Sequence, residues 1–369
     1  MLKSILNRKH ALTNLTDAEF EAMLPELAAE LESHGVLHES YTDAEIRKDW
    51  ALLLKKDTTL NAMTISATEV AGMKVLRKHM RHFHAVRNYK GHSVESFWTQ
   101  PCLEKALRFN RAQHSTPYAS EIIRSLSFAN GLGKVTMYRP LMAKKVVAYL
   151  ATKDAMTDVR VLDACAGWGG RMIGAKSAES PSFAGVSPSV AGGLRGELVS
   201  PSLKVHYTGI DPCAKTYEAL RAIRDELGLT NVTLVNKPAE VALQQSLGTY
   251  DIALTSPPYY NLELYSDEPT QSVSGPNAGY QAWLNTFLSP VIAGVIRLGV
   301  KYSCWSVKNF KTDKKYDLLD DVIRIHGEHG WRLLDGVVFT MANSRRPGQK
   351  AASDQKKTEE CTYVFVHAT

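Results

Sequence analysis

Apolar residues recur at helical spacing through the first 55 positions, and after Asp158 they regroup into short runs separated by amphipathic stretches. Thr16-Asp17-Ala18-Glu19 has the form of a capping box, in which the threonine and glutamate side chains each satisfy a backbone amide at a helix start. Phe20, Met23, Leu24, Leu27 and Leu31 follow on one helical face; Pro25 is expected to kink or divide that helix, and Gly35 to end it. A second box, Thr42-Asp43-Ala44-Glu45, opens a helix with Ile46, Trp50, Leu53 and Leu54 on one face. Residues 56–137 read as mixed, with helices around 68–86 and 117–128, and Pro140 opens another helix through Leu150.

Beyond Asp158 the period changes. Strands are expected at Val159–Leu162, Val205–Ile210, Val232–Val235 and Asp251–Leu254. Helices alternate with them, beginning at Gly170 and spanning Lys215–Leu227 and Ala239–Leu247. A helix at Gln281–Leu298, a strand at Tyr302–Val307, a helix at Asp320–Gly327 and strands at Leu333–Thr340 and Thr362–His367 complete the chain. This βαβα rhythm predicts an α/β fold with a mostly parallel sheet covered by helices on both faces. The pattern divides the chain into a mainly helical region, 1–135, and an α/β region, 136–369. Residues 177–203, rich in Ser, Gly and Pro, interrupt the rhythm and read as a flexible insertion rather than a substrate-side lid.

Composition narrows the class. With 44% hydrophobic and 22% charged residues the 369-residue chain is of the soluble globular type, and it holds no apolar run of membrane-spanning length. Its start is too short and too interrupted for a secretory signal. The cysteines (Cys102, Cys165, Cys213, Cys304 and Cys361) are odd in number and form no C-x-x-C pair. Reduced thiols in a cytoplasm are therefore expected, with neither a disulfide framework nor a zinc site.

Charge adds a candidate partner. Between Lys74 and Arg111 lie nine basic residues, including Lys74, Arg77, Lys78, Arg81, Arg87 and Lys90, opposed only by Glu95 and Glu104. The histidines 79, 82, 84 and 92 and the rings of Phe83, Tyr89, Phe97 and Trp98 are interleaved with them. Cations mixed with rings suit phosphate contact and base stacking, although a solvated helix face beside a packed seam has the same composition. Without a cysteine or carboxylate at ligand spacing, the histidines do not suggest a metal.

Three strand ends carry the chemistry. The first is followed by Asp163-Ala164-Cys165-Ala166-Gly167-Trp168-Gly169-Gly170-Arg171, a glycine loop that lets a ligand approach the backbone at a helix start. The second ends in Asp211-Pro212, an acid placed to grip ribose hydroxyls or, more plainly, to cap the next helix. The fourth ends at Thr255-Ser256-Pro257-Pro258-Tyr259, where two prolines fix φ, Ser256 offers a hydroxyl and Tyr259 a stacking face. Taken alone, that corner is equally a Pro-Pro turn. In one sheet all three lie along the edge where ligands of open α/β sheets bind.

Together these motifs, with Tyr138-Arg139-Pro140, resemble the S-adenosylmethionine-dependent DNA amino-methyltransferases, over about residues 138 to 369. The resemblance implies a Rossmann-like sheet of seven strands with an antiparallel final hairpin. It implies a cofactor bounded by Tyr138, Pro140, Asp163, Ala164, Ala166, Gly167, Gly169, Asp211, Pro212, Glu240 and Thr255. Pro238 stands where the family often has an acid that contacts adenine, so that role is left to Asn236 or Glu240. Ser256, Pro257, Pro258 and Tyr259 are implied to receive the target amine of a base flipped out of double-stranded DNA. The Ser-Pro-Pro-Tyr form points to N4 of cytosine, and N6 of adenine is the nearest alternative. RNA or protein-glutamine methylation and a non-enzymatic DNA-binding module stand further off. C5 methylation is disfavoured, because neither Pro101-Cys102 nor Pro212-Cys213 follows the fourth strand. With no recognition domain evident elsewhere, DNA reading falls to the N-terminal region and to the basic loop containing Arg345 and Arg346.

Overall fold

The structure, a computed structural model, describes residues 5–58, 63–66, 68–132, 135–179, 203–245, 247–273, 279–342 and 360–368. Its centre is an eight-stranded sheet built from β1 (Thr64–Ser66), β2 (Asp158–Asp163), β3 (Lys204–Ile210), β4 (Val232–Val235), β5 (Ile252–Thr255), β6 (Tyr302–Val307), β7 (Trp331–Ala342) and β8 (Glu360–His367). The spatial order is β1-β7-β8-β6-β5-β2-β3-β4. Strands β2 to β6 pair in parallel, and β8 runs antiparallel to both β6 and β7. This is the expected Rossmann-like sheet, antiparallel final hairpin included, with one strand more. The addition, β1, comes from the N-terminal region and pairs in parallel with β7. Three residues are too few to leave a periodic signal in the sequence.

The strand sequences explain their places. Every residue of β5 and β6 is buried, as required of strands with helices on both faces. Alternate side chains enter two cores: Val161, Ile252 and Leu254 join one, whereas Leu162 and Ala253 join the other. Helices α6 (Pro140–Lys153), α7 (Gly170–Ser177) and α8 (Ala214–Glu226) contribute to the first core. Helices α11 (Ser289–Arg297) and α12 (Leu318–Glu328) contribute to the second. Helix α9 is short, Ala239–Ala242, because the chain tightens into turns where a helix to Leu247 was expected. Tyr280–Trp283 (α10) continues through a π-helical segment, Leu284–Leu288, into α11.

The N-terminal region holds α1 (Asp17–His34), α2 (Asp43–Lys55), α3 (Met73–His79), α4 (Gln100–Ala112) and α5 (Ala119–Ala129). Both capping boxes form as read. Pro25 lies inside α1 without dividing it. Buried residues on both sides of the proline, Phe20 to Leu31, hold the helix against the α4–α5 core. On α2 the inward face carries Ile46, Asp49 and Leu53, and Leu54 points outward. The span 68–86 is not one helix but α3 followed by a 3-10 turn, Arg81–Ala85.

A boundary at residue 135 does not follow the packing. Residues from Ile46 to Val86 share a core with β2, β5 and β6, whereas Ile5 to Leu37 and Trp98 to Leu132 form a separate cluster. Most of the 177–203 insertion lies outside the described residues; its first residue ends α7. No helix among the described residues is long and apolar enough to cross a membrane.

Candidate functional site

The chain places β3 and β4 on one side of β2 and then returns to place β5 on the other. Between these two directions a cleft opens at the carboxyl ends of β2, β3 and β5, where doubly wound sheets bind ligands. Ala164, Ala166, Gly167, Asp211, Pro212 and Glu240 line it, as do Tyr138 and the whole corner from Ser256 to Tyr259.

The glycine loop is shaped by close approaches. A Cβ at Gly170 would overlap the Tyr138 carbonyl, so only glycine lets the two segments meet. Gly167 has φ +51 and donates its amide to Asp211 Oδ2 at 2.9 Å. Cys213 N donates to Asp211 Oδ1 at 3.0 Å. Burial nevertheless dominates and pushes the Asp211 pKa up to about 7, against the lowering pull of those two amides. Because this value exceeds the unfolded one, the folded form holds a proton that the unfolded chain has lost. Asp211 therefore takes away stability as pH rises from about 4 to about 7. Burial also raises Glu240. Asn236 is occupied, donating to the carbonyls of Asp211 and Pro212, so of the two candidates it is Glu240 that faces the cleft.

Four expected cofactor residues do not line the cleft. Asp163 is fully buried beneath it, accepting from Arg171 Nε (2.8 Å), the Tyr207 hydroxyl (2.8 Å) and Cys165 N (3.3 Å). It shapes the loop from below. Gly169 begins α7 with φ +80 and faces Leu220 and Leu76. Pro140 supplies the first turn of α6, and its carbonyl meets Gly174 too closely for any Cβ there. The Thr255 hydroxyl accepts Cys165 N at 3.1 Å and joins the glycine loop to β5. A motif records which residues recur at a strand end, whereas burial decides which of them a ligand can touch.

The Ser-Pro-Pro-Tyr corner is held from behind. The Ser256 hydroxyl donates to the Ser306 carbonyl on β6 at 3.0 Å, which fixes the rotor and leaves lone pairs on Oγ as acceptors. The Pro257 carbonyl accepts no hydrogen bond among the described residues. Tyr259 stacks on Phe310 (centroids 5.6 Å, planes 28°), which stacks in turn on Tyr316. Tyr260, with φ +42, turns the chain sharply into an aromatic cluster with Tyr280, Trp283 and Tyr316.

Sequence reasoning missed several residues of the wall. Trp168 and Arg171 lie inside the recognised loop, and the unusual tryptophan between two glycines was a usable signal. Thr216, Leu262, Tyr265, Phe287 and Lys308 belong to no motif and were not readable. Burial raises the Cys165 pKa and keeps that cleft residue a thiol.

The basic stretch is largely neutralised. Lys74 pairs with Glu45 (3.5 Å), Arg77 with Glu39 (2.9 Å), Lys78 with Glu226 (2.7 Å), and Arg87 with Asp267. Arg108 and Arg111 pair with Glu21 and Asp17. Every one of these carboxylates lies outside the stretch in sequence, which is why the linear count overstates the free charge. Arg81 and Lys90 are exposed and carry no ion pair among the described residues. Arg345 and Arg346 lie outside the described residues.

No family model matches the chain, and no curated protein sequence does. Among solved structures it is similar to a putative class I S-adenosylmethionine-dependent methyltransferase from Listeria monocytogenes (13% identity, 94% of this chain and 88% of that one, TM-score 0.38). It is also similar to magnesium protoporphyrin IX methyltransferase from Synechocystis PCC 6803 with bound SAM (13%, 71% and 83%, TM-score 0.35). A third likeness is to a putative RNA methyltransferase from Pyrococcus horikoshii (13%, 62% and 84%, TM-score 0.33). The strand order defines the fold. Fold and cleft together define a doubly wound α/β protein with a cleft at its switch point.

Proposed function

We propose that the protein is an S-adenosylmethionine-dependent methyltransferase that modifies the exocyclic amine of a nucleobase, N4 of cytosine in DNA in the first instance. One observation carries the reading: Ser256 and Pro257, consecutive residues of the cleft wall, bring a hydroxyl whose proton goes to the Ser306 carbonyl and a carbonyl that accepts no hydrogen bond among the described residues. Their donor obligations are already met or absent, and an amino group carries two N–H bonds to offer.

The cleft fits the cofactor. Gly167 leaves room at the backbone, Gly170 lets Tyr138 close in beside the loop, Asp211 is an acid poised for two ribose hydroxyls, and Glu240 lies further along the same wall. Bound there, S-adenosylmethionine would supply a sulfonium methyl group already activated for transfer. The chain's own task is then positioning. Ser256 and Pro257 would accept the two amine hydrogens and draw its nitrogen lone pair out of conjugation with the ring. Tyr259, braced by Phe310, would stack on a base that had left its duplex. DNA contact falls to Arg81, Lys90, Arg345 and Arg346. In sequence, residues 343–359 carry five basic and two acidic side chains. An N6-adenine target needs only a different base in the same corner.

Calorimetric titration with S-adenosylmethionine tests the first half of the reading. Ionised Asp211 accepts hydroxyl hydrogen bonds better than its protonated form. Affinity is therefore expected to fall as pH drops below about 7, by at most roughly tenfold per pH unit for one proton. No heat of binding at pH 8 would contradict the assignment.

A further inference from the structure

Trp168 lies between two glycines, lines the cleft and is 9% exposed. Its flanking residues have no side chains to hold an indole in place. The support comes instead from a remote segment. The Phe83 ring meets the indole edge-on (centroids 5.1 Å, planes 76°) and the His82 ring lies 5.3 Å away. Tyr265 approaches at 5.8 Å. The His82 Nε2 is also 3.0 Å from the hydroxyl of Thr216, a second residue of the cleft wall.

The segment bearing these rings is fastened at both ends. Lys78 and His79 reach Glu226 at the far end of α8. Arg87-Asn88 pairs antiparallel with Glu263-Leu264, and Arg87 reaches Asp267. Met80 and Val86 are buried in the sheet's own core. A segment serving only to meet phosphates would gain nothing from burying its anchors and turning two rings inward.

We infer that residues 79–88, read from charge as part of a nucleic-acid arm, brace the wall of the cofactor cleft from behind. His82 and Phe83 are positioning residues there, holding Trp168 and Thr216 around the adenosyl moiety. Gly167 connects the two sides of this wall: its amide binds Asp211, and the next residue is Trp168. The inference rests on the methyltransferase reading and adds the N-terminal region to its cofactor site.

The test is calorimetric titration of the full chain with S-adenosylmethionine at pH 8, for the unaltered protein and for His82→Ala, Phe83→Ala and His82→Gln. Each alanine variant is expected to raise the cofactor Kd by about tenfold, equivalent to about 1.4 kcal/mol. His82→Gln, which keeps a polar nitrogen within reach of Thr216, is expected to stay within about threefold of the unaltered protein. Thermal midpoints without cofactor serve to separate this from general loosening, and for His82→Ala the midpoint is expected to move by less than about 3 °C. If the unaltered protein binds and both alanine variants bind within twofold of it, the inference is overturned alone. If the unaltered protein does not bind, the methyltransferase reading falls and takes the inference with it.

Discussion

Replacing Ser256 by alanine is expected to lower kcat by about a hundredfold while the Kd for S-adenosylmethionine stays within about twofold. The magnitude follows from removing one preorganised hydrogen-bonding group aimed at charge that develops in the transition state. Ser256 is suited to that task because the Ser306 carbonyl already takes its proton, so Oγ can only accept from a substrate. The loss belongs in kcat because the amine gains tetrahedral character only as the methyl moves. Cofactor affinity is expected to hold because Gly167, Asp211 and Glu240 belong to other strand ends. Steady-state kinetics with calorimetry on the same preparation checks both halves. A kcat within about threefold of that of the unaltered protein would remove Ser256 from the proposed reaction.

Arg171→Met is expected to cost the largest share of stability of any single change at the site, about 3–5 kcal/mol. Arg171 and Asp163 are a buried ion pair, 5% and 0% exposed, joined at 2.8 Å. The guanidinium also donates to the Cys165 carbonyl and lies 5.1 Å from the centre of the Tyr138 ring. Burial opposes its charge, but Asp163 more than compensates and holds the arginine's pKa above its ordinary value. Methionine fills similar space yet leaves the Asp163 carboxylate with only the Tyr207 hydroxyl and the Cys165 amide. Urea unfolding should show a lower midpoint with an unchanged slope. A loss below about 1 kcal/mol would mean that the pair does not hold the loop. Tyr207→Phe removes one neutral donor from the same carboxylate and is expected to cost less, about 1–2 kcal/mol.

The contrast between these two sites shows what was legible in the sequence. The βαβα rhythm is a local property, and it gave the parallel strands from β2 to β6 within a residue or so at each end. The chemistry at three strand ends was legible for the same reason: the glycine loop, Asp211-Pro212 and Ser-Pro-Pro-Tyr are each continuous in sequence. Depth was not legible. Asp163, Gly169, Pro140 and Thr255 belong to the right motifs but face the core, because the motif does not say which side of the backbone meets the cleft.

Long-range pairing was the other missing quantity. The basic stretch reads as an arm when counted along the chain, yet Glu39, Glu45, Glu226 and Asp267 meet it from both halves of the protein. His82 and Phe83 reach Trp168 across some 85 positions, and no periodicity encodes that distance. The three residues of β1 join the sheet edge through β7, which lies more than 250 positions later, so the apparent domain boundary dissolves in the fold.

The central claim is transfer of a methyl group to an exocyclic base amine. Its most direct measurement is incubation of the protein with methyl-labelled S-adenosylmethionine and unmethylated genomic DNA, followed by digestion to nucleosides and mass analysis. The expected product is labelled N4-methyldeoxycytidine, absent with Ser256→Ala. Labelled N6-methyldeoxyadenosine would retain the corner's chemistry and move its target. Label in neither nucleoside, from a protein that binds the cofactor, would contradict the claim.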